Sequence, residues 1–323
     1  MRLRRRIMIA AAAASVAGSA SVKAQAFPSR PIRIVVPYAP GGGADTVARL
    51  LAPKLQDALG QTVMIDNKPG AGGVIGDDTV AKAPPDGHTL LLGAFAHAVN
   101  PSLLPRMPFR TPDDFAPISL LVVVPDLLVV TPSLPAQSVA ELIALAKAQP
   151  GKLSYGSSGN GTAQHLAAEL FKARTGADIQ HVPYKGGGPA LVDVAAGHVQ
   201  MLLGNMSSAL PQAQAGRVRA MAVTSPKRSP AAPDVPTIAE SGVPGYDMYE
   251  WNALLAPAGT PAAVIQRLQQ EAAKALRMPD VMARLATLGA EPVGGTPAEL
   301  AAFLRTELAK WADIVKSAGI KVE

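Results

Sequence analysis

The chain of 323 residues contains no cysteine. Disulfides, thiolate nucleophiles and a lipid-anchored lipoprotein are therefore excluded, and stability must come from the core. Aromatic residues make up only 4%, too few for broad stacking surfaces that grip bases or sugars. No stretch beyond the N-terminal leader is long and apolar enough to span a bilayer. The phosphate-cradling string G-x-x-x-x-G-K-[ST] is absent. A dinucleotide fingerprint counted from Gly70 needs glycine where Ile75 stands, and a G-x-S-x-G elbow counted from Gly156 fails at Asn160. His88, His97, His165, His181 and His198 are scattered without H-E-x-x-H spacing, so no metal is expected. No nucleophile, base and orienting partner stand together, so the chain reads as a non-enzyme without a cofactor.

The formal charge of +6 is concentrated at the N-terminus. Arg2, Arg4, Arg5 and Arg6 precede an apolar run, Ile7 to Ala20, and Ala24-Gln25-Ala26 is an A-x-A site. Residues 1–26 read as a cleaved signal peptide, exported by the Sec or twin-arginine route, and the destination is the periplasm. Cleavage removes four arginines and Lys23 and leaves +1, which gives no electrostatic case for nucleic acid.

What is present is a set of glycine loops. Ile32, Val35 and Val36 form a β-branched run stopped by Pro37, then Tyr38 and Pro40 lead into Gly41, Gly42 and Gly43. Glycine lets a ligand approach the backbone closely. Val47, Leu50, Leu51 and Leu55 follow at helical spacing, so a helix dipole points at the loop and favours an anion. Val182 to Gly188 repeats the Val-Pro-Tyr and triple-glycine wording, which predicts two lobes presenting loops to one cleft. Between them, Ser157, Ser158, Asn160, Gly161 and Thr162 form a loop of small hydrogen-bonding residues before a helix starting at Ala163. Asp45 reads as a helix cap rather than a base, and Lys185 as a solvated lysine. Tyr38, the serine loop, Tyr184, Gly187 and Asn205 supply the neutral donors that suit a carboxylate.

Strands alternate with helices, which predicts mainly parallel sheets with a ligand at their carboxyl ends. The helix after Ser138 and the last helix after Thr296 each open with a capping box. Asn100 to Asp114 reads as loop. Pro125-Asp126 interrupts an apolar run, so the chain is expected to change lobes there. The division is 27–128 with 249–323 for lobe 1, and 129–248 for lobe 2. Few contacts are expected between lobes beyond the crossings and cleft rims.

At these residues the chain resembles the TctC-like, or Bug, periplasmic receptors of tripartite tricarboxylate transporters. PSRPIRIVVPYAPGGGADTVAR, PGAGGVIGDDTVAKAPPDGHTLLLG, FAPISL, YGSSGNGTAQHLAAELF, VPYKGGGPALVDVAAGHVQ, DVPTIAESGVPGYD and LLAPAGTP carry the resemblance over nearly the whole chain after the leader. It implies an α/β, two-lobed type II periplasmic-binding-protein fold. The implied role is capture of a small organic acid — a di- or tricarboxylate, an acidic amino acid or an aromatic carboxylate — for membrane transporter subunits, by a monomer. Family ligand loops map onto Tyr38 to Gly43, Ser157 to Ala163, Tyr184 to Gly188 and the Asn205 region. The sequence departs from the family at Asn252-Ala253, where an aromatic residue and glycine often follow the tryptophan. A periplasmic ligand sensor is the alternative, separable by its partner alone.

Overall fold

The computed structural model describes residues 27–321, so the signal peptide expected over 1–26 lies outside the described residues. Two sheets organise the chain. The first contains β1 (Ile32–Val36), β2 (Val63–Asn67), β3 (Thr89–Ala94), β4 (Phe115–Val124), β10 (Glu250–Pro257) and β11 (Glu291–Pro292), in the order β11-β4-β10-β3-β1-β2. The second contains β5 (Asp126–Val130), β6 (Leu153–Ser157), β7 (Ile179–Pro183), β8 (Met201–Asn205) and β9 (Arg219–Val223), in the order β7-β6-β8-β5-β9. Helices α1 (Gly43–Leu59), α2 (Val74–Ala81) and α3 (Phe95–Leu103) follow β1, β2 and β3. Helix α4 (Val139–Ala148) precedes β6, while α5 (Ala163–Thr175), α6 (Gly187–Ala196) and α7 (Met206–Gln214) follow β6, β7 and β8. The chain ends with α8 (Ala262–Leu276), α9 (Pro279–Thr287) and α10 (Pro297–Ser317).

The sheets are mixed rather than mostly parallel. β1 runs parallel to β2 and β3, and β6 parallel to β7 and β8. β10 and β5 run against their neighbours, because each is entered straight from the other half without a crossover helix. The changeover is Pro125, which has no N–H for a ladder, so β4 must end at Val124. Leu127 and Leu128, expected in lobe 1, are therefore strand residues of the second sheet, and the return comes between Val223 and Glu250.

Period-two alternation fixes the faces. Ile32, Ile34 and Val36 pack with Val47, Leu51 and Leu55 of α1, while Val35 and Leu91 face the opposite core. Three helices, α3, α7 and α9, were not read from sequence. α3 and α7 start directly at a strand end and enclose Pro101 and Pro211, which weaken the helical signal. Both capping signals place helix starts, but only Thr296 with Glu299 closes a full box. Ser138 caps Glu141 N–H, while the Glu141 carboxylate accepts from Gln137 N–H instead.

The last helix overturns the expectation of few inter-lobe contacts. α10 packs on α3 and β4 of the first half and on α5 of the second. Its Leu300, Leu304, Trp311 and Val315 are buried as the spacing predicts, and Phe303 and Leu308 are partly buried against the same core. Glu307 is buried as well, and its Oε2 accepts from Trp251 Nε1 at 3.3 Å and Trp311 Nε1 at 2.9 Å. Lys310 pairs with Glu307 and donates to Asp247 O, so the helix is pinned to the returning segment.

Candidate functional site

The register places the site. Val124 pairs with Glu250, and Ala94 with Asn252, at the end of the first sheet where the chain leaves it. Asp126 pairs with Asn205 at the end of the second sheet where the chain arrives. The carboxyl ends of β1, β3, β6, β7 and β8 thus face one boundary, and every glycine loop of the sequence reading lies there.

The first loop is shaped by a carboxylate. Asp45 is 2% exposed on the first turn of α1. Its Oδ2 accepts Gly41 N–H at 2.8 Å and Arg49 Nε at 2.9 Å, and its Oδ1 accepts Asn67 Nδ2 at 2.9 Å. Asn67 Nδ2 also donates to Tyr38 O. The Arg49 hydrogen bond, above all, pulls the Asp45 carboxyl down to about 2. Asp45 is thus bound within the loop on every side. Gly41 has φ +89, which requires glycine, whereas Gly42 has an ordinary φ of −76. A Cβ on Gly42 or Gly43 would project into open space, and Pro40 is exposed beside them. The Tyr38 hydroxyl sits beside Gly73 and has no hydrogen-bond partner among the described residues. Burial and the charges of Asp77 and Glu250 push its pKa well up, so it stays a donor.

The second loop is shaped by imidazoles. Ser157 is fully buried, and its Oγ lies 2.6 Å from His181 Nε2 and accepts Gly159 N–H at 3.1 Å. Ser158 Oγ donates to Gln164 Oε1 at 2.6 Å, and Thr162 Oγ1 donates to Gly159 O at 2.8 Å. Gly161 N–H donates to His165 Nδ1 at 3.0 Å. Asn160 is exposed at the tip and Ala163 starts α5. The Tyr184 loop packs beside it. Tyr184 N–H donates to Ser157 O, and a Cβ on Gly187 would fall 2.8 Å from Gln164 Nε2. Tyr184 Oη donates to Asp193 at 2.6 Å, and burial with that bond holds its pKa up to about 12. Asn205 caps α7 through Ser207 N–H and lies close enough to the buried Glu250 carboxyl to lower its pKa, against the upward push of burial, which joins it to the surroundings of Tyr38.

The hydroxyls picked from sequence are therefore mostly engaged within the loops. Groups left to bind an anion include the first-turn N–H groups of α1, α5 and α6, none of which has a side-chain cap. Asn67, Gln164, His181 and Glu250 were missed. Only Gln164, on the first turn of a helix after the serine loop, had a local signal; the others reach the site through strand pairing.

The repeated triple-glycine wording is not the structural repeat. In sheet order β7 matches the edge strand β2, while β1 matches β6. The counterpart of the Gly41 loop is the serine loop, and the counterpart of the Tyr184 loop is the Gly70–Gly73 stretch.

A family model described as the tripartite tricarboxylate transporter family receptor matches residues 47–320. Protein BugT of Bordetella pertussis is 42% identical over 307 residues, covering 94% of both chains. The R. palustris protein Rpa4515, solved with adipate, is 41% identical, covers 91% of this chain and 99% of its own, and superposes with a TM-score of 0.78. MatC from Rhodopseudomonas palustris, solved with bound malate, is 35% identical over 90% of this chain and 100% of its own, with a TM-score of 0.74. The chain, with its two mixed sheets and glycine loops at one boundary, belongs to the tripartite tricarboxylate transporter receptor family of periplasmic solute-binding proteins.

Proposed function

We propose that this protein captures a small carboxylated molecule between two lobes, acting as a monomer without catalysis, and hands it to the membrane subunits of a tripartite tricarboxylate-type transporter in the periplasm. The lobes divide where the chain changes sheet. The observation that carries the reading is the set of uncapped helix starts at one boundary: α1 from one lobe, α5 and α6 from the other. Each helix start contributes roughly 0.3–1 kcal/mol toward an anion, up to ~2 when partly buried, and several with hydrogen bonds reach a micromolar site near −8 kcal/mol. The Tyr38 hydroxyl adds a neutral donor. Adipate and malate in the related receptors support a carboxylate ligand here. Both lobes hold the ligand fully only when they approach, and α10, packed on both, sets the axis about which they move.

A thermal-shift screen against organic acids tests the reading, because a ligand of the folded state raises apparent stability by mass action. Adipate and malate head the set, with amines and sugars as controls. Stabilisation by acids alone is expected; stabilisation by none of the acids overturns it. Solution scattering then follows the best acid, with a smaller radius of gyration expected on saturation.

A further inference from the structure

Beneath the serine loop lies a group that anion binding leaves unexplained. Tyr155 of β6, His181 of β7 and His165 of the first turn of α5 form a cluster of near-parallel rings. The two imidazoles lie 4.0 Å apart and 9° from parallel, and the Tyr155 ring lies near-parallel beside them, 4.8 Å from His181 and 6.3 Å from His165. His165 Nδ1 accepts Gly161 N–H, and His181 Nε2 meets Ser157 Oγ, so each ring holds one end of the loop.

We propose that His165 and His181 are positioning residues for the ligand loop: as a neutral stacked pair they fix Ser157 to Thr162 in its binding shape, and a proton on the His165 ring releases it. This rests on the proposed function only for the loop's role; the latch itself is independent of any ligand.

The chemistry runs in one direction. Gly161 N–H needs a lone pair on Nδ1, and a ring protonated there has none to offer. Two charged imidazoles cannot remain face to face at 4.0 Å. The first turn of α5 also disfavours a cation at His165. The charged and titratable groups around the stack are Glu169 and Lys172 of α5 and Tyr155 of β6. Glu169 is engaged by Tyr155 Oη at 2.6 Å and Lys172 Nζ at 2.7 Å, and the support its charge gives an imidazolium is outweighed by burial of the rings. Burial, the His165 ring and Lys172 draw His181 down to about 4, and burial lowers His165. At neutral pH the pair is neutral and the loop is latched.

The test uses the ligand-free protein. Imidazole nitrogen resonances are titrated while amide exchange is followed from Gly159 to Thr162. His165→Asn places an acceptor near the Nδ1 position but takes up no proton, and His165→Leu removes the acceptor. At pH 7, wild type and His165→Asn are expected to protect the Gly161 amide alike, and His165→Leu to lose about tenfold. As the pH falls below the ordinary imidazole range the wild type is expected to lose a similar factor in step with its His165 ring, while His165→Asn keeps its protection. Unchanged protection in the wild type with charged imidazoles overturns the proposal, as does equal loss in His165→Asn. Should His165→Leu fail to fold, the wild-type titration and the asparagine variant decide.

Discussion

The Gly41 loop and the Gly161 loop solve one geometric problem with opposite chemistry. Each follows the strand next to an edge of its sheet, each leads into a helix, and in each a loop amide is accepted by the side chain four residues later. In the first lobe the acceptor is Asp45, neutralised one turn on by Arg49. In the second it is His165, and the residue one turn on is Glu169, itself engaged by Tyr155 and Lys172. The tyrosines beside the two loops differ as well. Tyr38 keeps its hydroxyl free, whereas Tyr184 is bound to Asp193. The lesson is that a loop amide can be held by any acceptor, but only the acceptor's titration decides when it lets go.

The comparison breaks most readily at Asp45. Asp45→Ala removes the buried carboxylate that gathers the half-buried Asn67 and the exposed Gly41 N–H and Arg49, and is expected to cost about 2 kcal/mol of stability by chemical denaturation. A loss below about 1 kcal/mol shows that the first loop needs no latch.

Acid sharpens it next. The second latch is neutral in the fold with burial holding both imidazoles below 6.5, so its stabilising contribution is present above 6.5 and is lost as pH falls through the lowered His165 value. The first latch is a carboxylate depressed to about 2 from 3.8, so its contribution is present above 3.8 and is lost as pH falls through 2. Amide exchange in a pH series should show Gly161 released before Gly41; the reverse order refutes the assignment of the two latches.

The tyrosines give a smaller contrast. Tyr38→Phe removes an unpaired hydroxyl, so stability holds while affinity for the best organic acid falls roughly three- to tenfold, about 0.5–1.5 kcal/mol. Tyr184→Phe breaks the bond to Asp193 and is expected to lower stability by about 1 kcal/mol while changing affinity less than Tyr38→Phe does. Denaturation paired with calorimetry on both variants checks the crossover.

The smallest effect on the fold belongs to Gly42→Ala. Its φ of −76 suits alanine and its Cβ meets nothing closer than Ala39 O at 3.8 Å, so stability should change by less than about 0.5 kcal/mol. Any clear consequence should appear in ligand affinity, read by calorimetry on the same sample.

Much of this was open to a reader of the chain. Periodicity fixed the strand faces, Gly176 and Gly197 ended α5 and α6 in the left-handed conformation, and Thr296 with Glu299 opened the last helix. These are local decisions, made by backbone sterics and side chains within a few residues. The triple glycines, Tyr38, Tyr184 and the serine loop were legible for the same reason. Partnerships over long separations were not. Asn67 reaches Asp45 across 22 residues and His181 reaches Ser157 across 24, because β2 lies on β1 and β7 on β6. The direction of β5 and β10, and the attachment of α10 to both halves, follow from how the chain crosses at Pro125 and returns. Sequence alone determined which loops are glycine-rich and where helices such as α4, α5 and α10 begin. Tertiary structure decided which loops are counterparts and which hydroxyls remain free, because strand pairing brings the acceptors from elsewhere in the chain.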